Sequence, residues 1–255
     1  MKIAVRNVYP EKGQYDWPNN LPQWEKLGAI EVAFYKVKPF LTNVLIKDVV
    51  KPFSKLALYV PDIHMAHARL TIKDEFLTTL IKTIKVAKAL NSSYVVVHPS
   101  FGQLKDIKIF LQTVVTPLLE QNDLYISWET FESKRRIFGG PEGIIEFCKT
   151  NPRYKMCYDF SHIHKPEKEV LKDIEKYFSC LAVLHASNRI SSKGKQHLPL
   201  FQKRTEFGRS DLDFKKIIAF LKAKNYQGSF VLEYLYEYHS LLLKDALRVK
   251  ELLSQ

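Results

Sequence analysis

Two rhythms of apolar and polar positions alternate along the chain. Short, nearly continuous apolar runs read as strands: MKIAVRN, AIEVAFYK, LALYVPDIHM, SYVVVHPS, DLYISWETF, RYKMCYDF, CLAVLHAS and GSFVLEYLYEY. Between them lie segments with apolar residues every three to four positions. The clearest is IKDEFLTTLIKTIKVAKAL, which ends at Asn91 and Ser92. The others are the turn PQWEKLG, VLIKDVVKPFSKL broken at Pro52, LKDIKIFLQTVVTPLLEQ kinked at Pro117, GGPEGIIEFCKT with Pro141 in its first turn, KEVLKDIEKYF, DLDFKKIIAFLKAK and the closing LLLKDALRVKELL. Eight strand–helix pairs in 255 residues predict parallel pairing through right-handed crossovers in one α/β domain spanning residues 1–255. Eight units suit a closed (β/α)8 barrel. The rival open doubly wound sheet lacks its glycine-rich phosphate loop after the first strand.

The strand ends carry the candidate chemistry. YVVV runs into His98, YISW into Glu129, KMCY into Asp159, LAVL into His185 and SFVL into Glu233. In a parallel barrel these ends share one face, around one axis, where barrel active sites are built. Each residue alone has an ordinary alternative as a cap, an ion-pair partner or a hydrogen-bonded core group. Three carboxylates converging in a partly dry cup repel one another unless a cation joins them. Glu129, Asp159, His185 and Glu233 are therefore expected to hold a divalent ion. Mn2+, Mg2+, Zn2+ and Co2+ all suit two Glu, one Asp and one imidazole. His64, His98, His162 and His197 are further candidates for metal or substrate. His67, His164 and His239 read as incidental.

The longest stretch without periodicity, residues 188–209, follows strand seven and so hangs over the barrel mouth. It is read as a basic, substrate-facing lid, with Arg189 and Lys195 among its cations and Phe201 and Phe207 interleaved.

Composition changes this picture little. The apolar fraction of 46% and charged fraction of 26% are those of a globular chain. No run is long and apolar enough to span a membrane, and the start shows no secretory pattern. Three widely spaced cysteines, Cys148, Cys157 and Cys180, predict packing roles and a reducing cytoplasm rather than disulfides. The net charge of +12 fits either a nucleic-acid partner or a solvated lysine-rich surface.

Taken in order, IHMAHARL, VVVHPS, SWETF, YDFSH, LHASNR, QHLPL, GRSDLDF and VLEY resemble the xylose isomerase-like TIM barrels, over nearly the whole chain. That superfamily includes endonuclease IV and the sugar isomerases and epimerases of the tagatose-epimerase type. The resemblance implies that Glu129, Asp159, His185 and Glu233 match the single-metal site of the epimerases. It implies that His64, His98, His162 and His197 match positions completing a trinuclear zinc cluster in endonuclease IV. The nuclease's lid has an Asp two residues before its His, where this chain has Lys195. Its strand five carries a Glu-Asn pair, where this chain has Glu129 and Thr130.

The favoured expectation is thus a metal-dependent sugar or sugar-phosphate isomerase or epimerase. Glu129 and Glu233 would move a proton beside a carbonyl held by the metal, with His162 and Arg189 on sugar hydroxyls. The alternative is a zinc-dependent nuclease acting on abasic DNA. A non-catalytic ligand-binding barrel is a third class. A divalent metal is implied, and no organic cofactor.

Overall fold

The computed structural model describes residues 1–9 and 21–255. Eight parallel strands close into a barrel: β1 Lys2–Val8, β2 Ile30–Ala33, β3 Asp62–His64, β4 Tyr94–Val97, β5 Tyr125–Glu129, β6 Tyr154–Asp159, β7 Leu181–Ala186 and, after the lid strands, Ser229–Leu232. That last barrel strand, called β12, pairs with both β7 and β1 and so closes the ring. The lid contributes two antiparallel ribbons, β8 Asn188–Ile190 with β9 Lys195–Leu198, and β10 Arg204–Thr205 with β11 Gly208–Arg209.

The strands are apolar on both faces because helices cover the outside and side chains fill the inside. Inside, Ala4, Val96, Cys157, Val183 and Val231 form a small apolar layer beneath the mouth. Outside, the helix Lys73–Ala89 turns Phe76, Leu80, Ile84 and Ala87 inward. Asp74 and Glu75 open it and Lys88 closes it, each suited to the helix dipole. The helix Phe214–Ala223 begins at Asp213, whose carboxylate accepts the Lys215 amide at 3.1 Å. Among the described residues no helix is long and apolar enough to cross a membrane.

Several elements differ from their sequence expectation. Instead of a simple kink at Pro117, the helix widens into a π-turn over Leu111–Val115. Proline lacks the N–H that an α-turn would use, and the Thr116 hydroxyl donates to the Leu111 carbonyl at 3.0 Å. The run LALYVPDIHM shrinks to three strand residues plus a bridge between Ala29 and Tyr59, because Pro61 has no donor for a ladder. The strand read through YLYEY stops at Leu232, and Tyr236–Leu241 forms a 3-10 turn. A helix over Val37–Asn43 forms despite Pro39 near its start. The lid, expected to be irregular, is organised by its two ribbons.

Candidate metal centre

The register of the closed barrel sets the site. Cys157 pairs with Glu129, and His185 with Asp159, so successive strands deliver their terminal side chains side by side. Glu233 follows β12 directly, and its amide bonds the Ala186 carbonyl at 3.2 Å. All four of Glu129, Asp159, His185 and Glu233 are buried. His185 Nδ1 lies 3.4 Å from Glu129 Oε2, 3.7 Å from Glu233 Oε2 and 3.9 Å from Asp159 Oδ2.

Each carboxylate has one oxygen held by neighbours, and Asp159 and Glu233 leave the other open. Asp159 Oδ1 accepts the Ser161 amide at 2.6 Å, the Ser161 hydroxyl at 2.8 Å and the His162 amide at 3.1 Å. Glu233 Oε1 accepts from Arg6 Nη1. Glu129 Oε2 faces His64 Nε2 at 3.2 Å and His98 Nε2 at 3.0 Å. The remaining oxygens are buried: Asp159 Oδ2 and Glu233 Oε2 have no hydrogen-bond partner, and Glu129 Oε1 faces only His162. Orphaned buried oxygens are costly unless something charged completes them. Ligands about 2.1 Å from a tetrahedral ion stand roughly 3.4 Å apart, close to the separations here. The donor set therefore fits a divalent cation.

The histidines form a second group beside the first. His98 stacks on His67 with ring centroids 4.0 Å apart and meets His64 edge-on at 4.8 Å. His64, His67 and His98 bring ring nitrogens within ligand range of one another. His162 Nδ1 lies 3.0 Å from Glu129 Oε1, and its ring stacks on Phe131 at 4.2 Å. His197, in the lid, points Nδ1 at Ser161 and Ser187, each at 3.4 Å, and stands 3.8 Å from Glu233 Oε1. Its backbone is left-handed, φ 55°, and its carbonyl accepts the Leu235 amide at 2.9 Å.

Electrostatics follow from burial and these neighbours. Burial pushes the His64 pKa down to about 4, and burial beside His98 and His64 takes His67 to about 2. Burial also opposes a charged His162, but Asp159 and Glu129 outweigh it and raise the group to about 9. Burial alone would raise Glu129; the imidazoles of His98, His185 and His162 hold it well below the usual carboxylate range. Asp159 behaves likewise, with burial overcome by His162 and His197.

With this geometry in place the comparisons can be read. The sequence matches the family model described as xylose isomerase-like TIM barrel over residues 43–253. The chain belongs to that family. No curated protein matches this xylose isomerase-like barrel in sequence. Solved structures share its fold. One is a 3-keto-D-glucoside 4-epimerase from E. coli, with TM-score 0.71 and 14% identity, over 98% of this chain and 99% of that one. Another is a D-tagatose 3-epimerase-like protein, with TM-score 0.72 and 16% identity, over 100% and 96%. A third is an IolI protein with a zinc atom, with TM-score 0.70 and 16% identity, over 100% and 98%.

The xylose isomerase-like barrel departs from the sequence reading at its lid. Arg189, expected on sugar hydroxyls, is enclosed. It is fully buried, donating to the Phe160 and Lys165 carbonyls and, at 3.2 Å, to the Ser191 hydroxyl, with Asp211 Oδ2 at 3.7 Å. It ties the lid to the strand-six loop, with each of its three nitrogens engaged within the protein. Lys195 places its ammonium 4.2 Å from the Phe207 ring, within the lid. His164, read as incidental, faces Ser191 and Gln196, and His239 faces the Tyr234 carbonyl.

Sequence reasoning also missed part of the cup. Arg6 of β1 and Glu31 of β2 are buried partners in register, with Arg6 Nε donating to Glu31 Oε1 at 2.5 Å. Asp62 of β3 lies beside them, and burial next to Glu31 raises its pKa well above the ordinary 3.8. Cys157 comes within ligand range of Glu129 and His185, and burial raises its thiol. A charged residue inside an otherwise apolar parallel strand was the available signal for Arg6 and Glu31, since such a group must be paired inside the barrel.

Proposed function

We propose that this barrel is a divalent-metal-dependent isomerase or epimerase acting on a sugar or sugar phosphate. One observation carries the reading: oxygens of Glu129, Asp159 and Glu233 crowd within 3.4–3.9 Å of His185 Nδ1, and two of them, Asp159 Oδ2 and Glu233 Oε2, have no hydrogen-bond partner. The epimerase structures that share the fold support a carbohydrate substrate. Glu129, Asp159, His185 and Glu233 would hold the ion, which when bound polarises a carbonyl and acidifies the neighbouring carbon. Glu129 and Glu233 are the groups placed to take a proton from that carbon and return it. His64 and His98, on Glu129 Oε2, orient that carboxylate. His162, carrying charge at neutral pH, is a donor for a substrate hydroxyl. We assign the protein to a reducing compartment, because its three cysteines are free and two are buried.

A second reading, phosphodiester hydrolysis at abasic DNA, draws on the adjoining His64, His67 and His98 group, which has room for another ion, and on the net charge of +12. Lys195 stands against it, as does the packing of cations on lid aromatics: Lys195 on Phe207, and Arg248 of the last helix on Phe201 at 4.5 Å.

The test is to determine metal content and then incubate the loaded protein with a panel of ketoses in deuterium oxide. Deuterium entering beside the carbonyl, with one tightly bound ion per chain, is the expected result. Nicking of abasic duplex that disappears in Glu129→Ala, with no exchange into any ketose, would replace the isomerase by the nuclease.

A further inference from the structure

The Arg6 and Glu31 pair has a geometry that a plain buried ion pair does not need. Glu31 uses its two oxygens for different partners: Oε1 takes Arg6 Nε at 2.5 Å, and Oε2 takes His185 Nε2 at 3.0 Å. Arg6 likewise divides its fork. Nε goes to Glu31, Nη1 to Glu233 Oε1, and Nη2 lies 3.0 Å from both ring nitrogens of His185. On the cup side His185 Nδ1 and Glu233 Oε2 stand 3.7 Å apart, and Glu233 Oε2 has no hydrogen-bond partner. Barrel closure makes this possible: β1 lies between β2, which carries Glu31, and β12, which Glu233 directly follows.

We propose that Arg6 and Glu31 are positioning residues for the metal centre. Glu31 accepts the Nε2 proton of His185, which fixes the imidazole tautomer with its Nδ1 lone pair toward the ion. Arg6 clamps Glu31 and Glu233 together and turns Glu233 so that Oε2, not Oε1, is offered. Carboxylate–histidine pairs behind a metal ligand commonly set ring orientation in this way. The planar guanidinium matters because a single ammonium cannot hold two carboxylates at fixed angles. This inference rests on the metal-centre reading above. It goes further by giving strands β1 and β2 a role in ion binding.

Removing a buried ion pair as a pair is often near-neutral for stability, which separates a positioning role from a purely structural one. The measurements are Mn2+ affinity by calorimetry and histidine 15N shifts of the Zn2+-loaded protein, on wild type, Arg6→Lys and the double variant Arg6→Met/Glu31→Leu. Circular dichroism monitors folding. In the wild type, His185 should carry its proton on Nε2 and bind through Nδ1. Both variants should bind Mn2+ about tenfold to a hundredfold more weakly, and the double variant should show His185 in mixed tautomers. A folded Arg6→Lys with wild-type affinity would overturn the clamp. A wild-type His185 that binds through Nε2 overturns the role of Glu31 even if neither variant folds. Absence of any Mn2+ or Zn2+ binding by the wild type would instead remove the metal centre itself, and this proposal with it.

Discussion

Strands β5, β6, β7 and β12 and strands β1 and β2 both bring charge into one buried cup, but they finish it differently. On the first set, Asp159 and Glu233 each leave an oxygen unpaired. On the second, both oxygens of Glu31 are taken, by Arg6 and by His185. Open valence in a buried group is unfavourable for folding and useful for chemistry. Closed valence is the support that holds it in place. The difference separates residues that act from residues that hold, without reference to any relative.

Four substitutions probe that division, taken from the largest expected effect downward. Glu129→Gln should lower turnover of the active sugar about 10²–10⁴-fold, since it removes a proton-transfer group, while the protein stays folded with a modestly lower melting temperature, because the imidazoles that favour the carboxylate lose their partner. A steady-state assay paired with a melting curve checks it, and full turnover would erase the distinction at its centre. Glu31→Ala should weigh mainly on stability. It strands the Arg6 cation in the interior and costs about 3–5 kcal/mol in urea unfolding. A cost below about 1 kcal/mol would mean that the pair supports nothing.

Arg189→Met extends the comparison to the lid. Its lost charged hydrogen bonds should cost about 1.5–3 kcal/mol, with KM for the active sugar unchanged. A raised KM at unchanged stability would return Arg189 to the substrate. Asp62→Asn should have the smallest effect, and it carries a pH signature. The Asp62 pKa is raised on folding, so the native state holds a proton that the unfolded chain has released. Wild-type stability therefore falls as pH rises from about 4 toward the folded value, and the amide lacks that slope. Unfolding at pH 3.5 should show the two proteins alike and at pH 7 the variant ahead. Parallel curves would mean that Asp62 is ionised in the fold.

What was readable in the sequence has a physical pattern. The barrel was legible because its strands are apolar on both faces and its helices on one, a periodic contrast repeated eight times. Glu129, Asp159, His185 and Glu233 were legible as candidates because each ends an apolar run, where polarity stands out. Arg6 and Glu31 sit inside KIAVRNV and IEVA, and their pairing depends on barrel closure, which no local pattern records. His67 was passed over because its place is set by stacking on His98. The burial of Arg189 was not legible because its acceptors are the carbonyls of Phe160 and Lys165, and backbone acceptors leave no trace in side-chain chemistry. The lid ribbons were invisible because two- and three-residue strands carry no periodicity.

His197 does two jobs at one backbone position. Its left-handed carbonyl fastens the lid to the end of the barrel through the Leu235 amide, while its ring faces Glu233. A loop-exchange experiment should therefore splice after Leu198, leaving this joint intact. A β-branched residue at 197 would strain the hinge and displace the ring together. In engineering terms, the segment beyond 198 is the exchangeable cassette, and His197 belongs to the chassis.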